Sequence, residues 1–339
     1  MSIAVEPQSL RSGPAGRAPL LELRNLVVEY GTEHGPVTAV NGVSLVIRPG
    51  EIVGLAGESG CGKSTIANAI LQVLRPPGRI AGGEILFRDR NLVGLPESEL
   101  RRIRWRNIAI VFQSAMSSLN PVTRIEDQFV DMFLAHQKIS KQFALMKAAE
   151  LLEVVGIDRG RLRAYPHELS GGMRQRVVIA MAMALGPELL LLDEPTTALD
   201  VIVQREILQQ LQELQREMGF AVLFITHDLS LLVEFSNRIA IMYSGDIVEE
   251  AAAPELFTHP AHPYTSGLMA SFPPLTGEQR YMTGIPGNPP ALNDPPSGCR
   301  FHPRCPAARR QPCHVDVPAL RRIGSSEHEV ACHFPLEPS

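Results

Sequence analysis

"EIVGLAGESGCGKSTIANAILQVL", residues 51–74, decides how the rest of this chain is read. Its opening, "EIVGLAG", is a short apolar run ending in glycine, the pattern of a buried strand entering a turn. "KSTIANAILQVL" (63–74) spaces its apolar residues as a helix does and is closed by "RPPG". Between them "GESGCGKS" (57–64) fits G-x-x-x-x-G-K-[ST], and strand-turn-helix is the setting that pattern needs. Gly57, Gly60 and Gly62, with Ser59 and Cys61, let backbone N–H groups face one anion, and the helix N-terminus adds its positive end. Lys63 brings a point charge to the β- and γ-phosphates of a nucleotide, and Ser64, followed by Thr65, offers a hydroxyl to Mg²⁺. Cys61 reads as a small filler where only the backbone matters. The alternative is a redox-sensitive thiol whose pKa the helix N-terminus would lower.

The flanks fit an α/β parallel sheet. "LELRNLVVE" (21–29) and "VTAVNGVSLVI" (37–47) are β-rich, and "RNIAIVFQ" (106–113) is another strand. "ELLLLDEP" (188–195) and "FAVLFITHD" (220–228) are apolar enough for buried parallel strands, with the helix "VIVQREILQQLQELQREMG" between them. From 125 to 155 the pattern is helical and ends on glycine, an inserted subdomain that breaks the alternation. After about residue 272 Pro and Gly dominate, which marks a linker and a loop-rich C-terminal module. Asp193 falls at the carboxyl end of its strand, where such sheets place ligands, and can hold Mg²⁺. Glu194 follows it and can orient or deprotonate an attacking water. His227 ends the next strand, in reach of the same phosphate.

Composition narrows the classes. The chain has 339 residues, 45% of them hydrophobic, and a net charge of −4, which gives no global bias toward nucleic acid. No run approaches the ~20 apolar residues of a membrane helix. "MSIAVEPQSLRSGPAGRAPL" lacks the apolar stretch of a signal peptide, so residues 1–19 read as a disordered lead. A reducing cytosol is the expected setting, where structural disulfides are not expected.

"LSGGMRQR" (169–176) narrows the class further. Ser170 caps a helix that opens on Gly171 and Gly172, a second anion site in a chain that already has one. A second site makes sense if it serves a neighbour's nucleotide. With "GESGCGKST", "VFQ", "LSGGMRQR", "LLLLDEP", "TALD" and His227 in this order, residues 20–272 resemble an ATP-binding cassette ATPase. The resemblance implies a P-loop cassette with an antiparallel β subdomain, a parallel-sheet core and a helical subdomain near 114–170. It implies that Tyr30 stacks on adenine, that Gln113 touches Mg²⁺ and couples ATP to membrane subunits, and that Glu194 is the catalytic carboxylate. Ser170, Gly171 and Gly172 would close over ATP on the opposite subunit, with Asp200 crossing between the two. The implied unit is a head-to-tail dimer holding two ATPs. "NPVTRIEDQ", "THPAHPYTSGLMASFP", "IPGNPP" and "CRFHPRCP" look like the ATP-binding subunits of oligopeptide, dipeptide and nickel importers, a group that also takes oligosaccharides. That likeness implies two permease subunits, an extracytoplasmic binding protein, a second and different ATPase chain, and a place on the cytoplasmic face of the membrane. Ser114 and Ala115 depart from the acidic residue and proline common after this glutamine, which bears on partner and cargo.

The other cysteines are Cys299, Cys305, Cys313 and Cys332, with five, seven and eighteen residues between them. Four thiolates suit Zn²⁺ or an iron–sulfur cluster. There is no paired C-x₂-C knuckle, and the wider loops suit the larger group. By resemblance, some ATPases of this importer group bind a [4Fe–4S] cluster here, and a structural cluster over residues 273–339 is the favoured expectation. Arg300, Arg304, Arg309 and Arg310 are read as solvated charges or thiolate-balancing donors. Two other functions compete. Soluble cassette ATPases of translation or DNA repair usually carry a second cassette, or coiled-coil or zinc insertions, none of which is seen here. A P-loop kinase gives "LSGGMRQR" no role.

Overall fold

The computed structural model describes residues 18–113, 118–196, 199–271 and 284–337. The lead expected over 1–19 falls almost wholly outside them, as do Ser114 and Ala115. β1 (Leu21–Thr32) and β2 (Gly35–Ile47) form an antiparallel hairpin that pairs Leu21 with Ile47 and Thr32 with Gly35. Alternation turns Leu21, Leu23 and Val28 inward with Val40, Leu45 and Ile47. Burying each such side chain contributes about 1.5–3 kcal/mol. β3 (Ile52–Ala56) is buried at every residue and runs into α1 (Lys63–Ile70). The helix stops earlier than its apolar spacing suggests, because Gln72 takes a left-handed φ of 55°. β4 (Gly78–Phe87) and β5 (Arg90–Asn91) complete a sheet in the order β2-β1-β4-β5. β4 escapes the sequence pattern because Gly82 and Gly83 interrupt its alternation. Gly83 is required there, since a Cβ would lie 2.3 Å from the Asn25 carbonyl oxygen.

α2 (Glu97–Ile103) leads to β6 (Ile108–Val111), then α3 (Ile125–His136) and α4 (Lys141–Val154). The single helical stretch expected over 125–155 is therefore two helices. The break has a local cause: Ser140 caps α4, its Oγ accepting the Phe143 N–H. α5 (Gly171–Met183), β7 (Leu189–Asp193), α6 (Val201–Met218), β8 (Ala221–Ile225), α7 (Leu229–Phe235), β9 (Arg238–Tyr243) and β10 (Asp246–Ala252) follow. α6 runs from the Asp200 cap to Gly219, which takes the left-handed conformation that ends it. α8 (Ala253–Thr258) and α9 (Pro263–Ala270) precede the tail, whose β11 (Arg321–Arg322) and β12 (Glu329–Val330) return to the main sheet. That sheet runs β11-β12-β10-β9-β3-β8-β7-β6. β9, β3, β8, β7 and β6 are mutually parallel, so the carboxyl ends of β3, β6, β7 and β8 share one edge. The tail is loop-rich, yet β12 pairs antiparallel with β10 and joins it to the core. Among the described residues, no helix is long and apolar enough to cross a membrane.

Candidate functional site

The loop after β3 is a preformed cradle. Gly57 and Gly62 have φ of 151° and 111°. A Cβ at Gly57 would stand 2.1 Å from the Met242 carbonyl oxygen, and one at Gly62 2.3 Å from that of Ala39. Only glycine fits either place. Lys63 is buried at the helix start, and its Nζ donates to the carbonyl oxygens of Gly57 (2.7 Å) and Glu58 (2.9 Å). Those bonds satisfy the ammonium and hold it inside the loop. Cys61 is buried, and burial pushes its thiol up, against the opposing charge of Lys63. This is the filler, not an activated thiol.

The ends of β6, β7 and β8 bring four more side chains to this edge. Ser64 Oγ donates to Asp193 Oδ1 at 2.9 Å. Burial raises the Asp193 carboxyl above its ordinary range and Glu194 adds to that, while the Ser64 hydrogen bond and Lys63 oppose it. Hydroxyl and carboxylate are hard oxygen donors, and this pair fits Mg²⁺. Glu194 has a left-handed φ of 46°, costly for a non-glycine residue and typical of sites that need a defined side-chain direction. Its carboxylate accepts from Gln113 Nε2 at 2.8 Å and meets His227 Nδ1 at 3.2 Å. Lys63, Ser64, Asp193, Glu194, Gln113 and His227 thus form one connected cluster.

A second cluster lies on α5 and α6. Ser170 Oγ accepts the Met173 N–H at 3.2 Å, and Asp200 Oδ1 accepts the Val203 N–H at 3.0 Å. Gly172 packs on the first turn of α6, where a Cβ would come within 2.8 Å of Val203 Cγ1. Among the described residues, Ser170 makes no hydrogen bond to the cradle. Val201 and Ile202, beside Asp200, are 70% and 73% exposed. Tyr30 lies on β1 with its ring over Gly78, where a Cβ would be 2.7 Å from Tyr30 Cε1.

The tail folds against the back of the cradle. Cys299, Cys305, Cys313 and Cys332 are free thiols that line one cavity, with Pro263, Phe301 and Phe334 among its walls. Burial pushes Cys299 and Cys305 up and Cys332 to about 11, and neighbouring thiols add to each shift. Among the described residues, no group of three or more His, Cys, Asp or Glu side chains is arranged to hold a metal ion. Phe301 roots the tail, with its ring 5.2 Å from Tyr243 and 5.3 Å from Tyr264. Two of the four arginines are neither solvated nor aimed at thiols. Arg300 bonds the Ser244 carbonyl oxygen and pairs with Asp246 at 2.9 Å, while Arg304, 6% exposed, pairs with Glu58 of the cradle. Glu58 was passed over in the sequence because it occupies a variable position of the motif.

Comparison with known proteins follows this division. The family described as ABC transporter matches residues 40–197, and the oligopeptide/dipeptide transporter C-terminal region matches 248–313. The oligopeptide transport ATP-binding protein OppD of Bacillus subtilis is 46% identical over 287 residues, covering 83% of this chain and 80% of its own. OppD of Salmonella typhimurium is 45% identical over 320 residues, with 94% of each chain covered. Among solved structures, the dimeric post-hydrolysis state of the ATP-binding cassette MJ0796 bound to ADP and Pi superposes with a TM-score of 0.62. It is 30% identical and covers 69% of this chain and 98% of that one.

Proposed function

The chain belongs to the ATP-binding proteins of the ABC transporter family, and from that premise we propose that it powers import of oligopeptides or dipeptides through partner permeases. The observation that carries this reading is the single cluster in which Glu194, set by a strained backbone and held by Gln113 and His227, stands beside the Ser64–Asp193 pair. In it the cradle of Gly57, Ser59, Gly60, Cys61, Gly62, Lys63, Ser64 and Thr65 binds the ATP phosphates, and Tyr30 stacks on adenine. Ser64, Asp193 and Gln113 hold Mg²⁺, which neutralises phosphate charge. Glu194 takes the proton of the attacking water, and His227 and Gln113 keep its carboxylate aimed. Ser170, Gly171, Gly172 and Asp200 serve the nucleotide of a second, homologous ATPase, and the exposed Val201 and Ile202 support a partner at this edge.

The chain then divides into a nucleotide-binding domain over 20–272, its helical subdomain near 114–170, and an extension over 273–339. It sits on the cytoplasmic face of the membrane, carried by two permease subunits and supplied by an extracytoplasmic binding protein. The relatives' names favour peptides over oligosaccharides or nickel and stand against a soluble ATPase of translation or repair. Four soft donors in an apolar-walled cavity support a metal group at Cys299, Cys305, Cys313 and Cys332, and the wide loops between them favour a [4Fe–4S] cluster over Zn²⁺. Iron, sulfide and zinc assays on anaerobically purified chain decide between the two, and zinc without iron or sulfide contradicts the cluster. The transport reading is tested by expressing the chain with its permeases in vesicles. ATP-dependent accumulation of labelled oligopeptides supports it, and failure to copurify with any membrane subunit contradicts it.

A further inference from the structure

Glu58 is an anion built into a loop that binds anions. Left bare, its carboxylate would repel a triphosphate seated on the neighbouring N–H groups. The structure gives it one counter-charge, from 246 residues away in the chain: Arg304 Nη1 donates to Glu58 Oε2 at 2.7 Å and Nη2 to Oε1 at 3.0 Å. The guanidinium is itself fixed. Nε donates to the Pro286 carbonyl oxygen at 2.9 Å, and the group lies 5.9 Å from the centre of the Tyr243 ring. The Arg304 side chain is 6% exposed, so solvent screens this pair poorly. Glu58 is held at its other ends too. Its N–H donates to Tyr264 Oη at 3.0 Å, and its carbonyl oxygen is one of the two that steer Lys63 Nζ.

We propose that Arg304 is a positioning residue for ATP: it neutralises Glu58 and fixes the loop segment that aims Lys63, so the C-terminal module sets nucleotide affinity from behind the cradle. The proposal rests on the reading of residues 57–65 as the ATP site. Two features of the geometry favour it over a purely structural role. Both Nη atoms reach the Glu58 carboxylate, beyond the Nε and Nη2 bonds to the Pro286 and Ile285 carbonyl oxygens of the module itself, and the module already has an independent root in Phe301, Tyr243 and Tyr264. Lysine is a poor replacement, since its point charge does not reproduce the planar two-pronged geometry.

The test is ATP·Mg²⁺ titration of the purified full chain carrying Arg304→Ala, Glu58→Ala, or both. Arg304→Ala leaves a bare carboxylate beside the triphosphate and is expected to weaken binding about tenfold or more. Adding Glu58→Ala removes that carboxylate and should restore most of the affinity. In the assembled transporter the same order should appear in KM for ATP, with kcat changed much less. A role confined to folding the module predicts no such rescue. Wild-type affinity in Arg304→Ala overturns the proposal, and so does a double variant as weak as the single one. Loss of ATP binding by the unsubstituted chain overturns the nucleotide reading itself and the proposal with it.

Discussion

The cradle and the cysteine cavity handle charge in opposite ways. In the cradle every charged group already has a protein partner: Lys63 has two carbonyl oxygens, Asp193 has Ser64, and Glu194 has Gln113 and His227. The cradle is organised before ligand arrives, so nucleotide finds its donors in place. In the cavity four thiols line the walls, and burial, with their thiol neighbours, pushes Cys299, Cys305 and Cys332 up. A cavity of that kind becomes a charged site only when a metal group displaces the protons. The charge of the cradle is therefore carried by the fold, whereas the cavity would become charged only with an occupant.

That contrast can be broken at either end. In the cradle the largest loss is expected from Glu194→Gln, on the order of a thousandfold in ATP turnover, with ATP binding retained. Lys63→Ala should weaken ATP binding about a hundredfold by removing a charge-assisted contact, with the native fold retained. Titration with a fluorescent nucleotide measures it, and unchanged affinity would put the phosphates elsewhere. In the cavity Cys332→Ser should speed amide exchange over residues 313–332 about tenfold or more and, if the proposed cluster is bound, remove it, while nucleotide affinity stays within about threefold of wild type as long as Phe301 and Arg304 remain docked. Equal exchange in both proteins would show that the module stands without its thiols.

The smallest effect is a pH profile of the tail's docking. His262 is buried, and burial lowers it to about 4 against the pull of Glu249 and the Ala331 backbone. His328 is also buried, which by itself would lower it, but hydrogen bonding and charge from Glu249, with Glu255, raise it above 6.5. The His262 contribution is complete above pH 6.5 and drains away as pH falls toward 4. That of His328 is complete below pH 6.5 and drains away as pH rises through its folded value. Stability of the docked tail should therefore peak near pH 6.5, and His328→Gln should remove only the alkaline limb. Amide protection of Val330, which pairs with β10, reports it.

The cradle was legible because its determinants are local. "GESGCGKS" sits between an apolar strand and a helix, and Asp193 and His227 sit at the ends of apolar runs. Ser140, Ser170, Asp200 and Gly219 bound their helices through their own neighbours, although the Ser140 cap was missed inside a continuous helical pattern. β9 and β10 escaped notice because "RIAIMYSGDIVEEAA" is buried on both faces and carries acidic residues that long-range partners satisfy. Glu249, for one, accepts from the Ala261 and His262 N–H groups and meets His328. Arg304 failed for the same reason. An arginine in "CRFHPRCP" looks solvated until a loop from the other end of the chain is brought against it.

The most direct test of the central claim is a paired measurement on the assembled complex carrying Glu194→Gln: ATP bound per ATPase pair, and phosphate released over time. The account predicts ATP retained between closed subunits with phosphate release abolished. Release at the wild-type rate would contradict it and remove Glu194 from the chemistry.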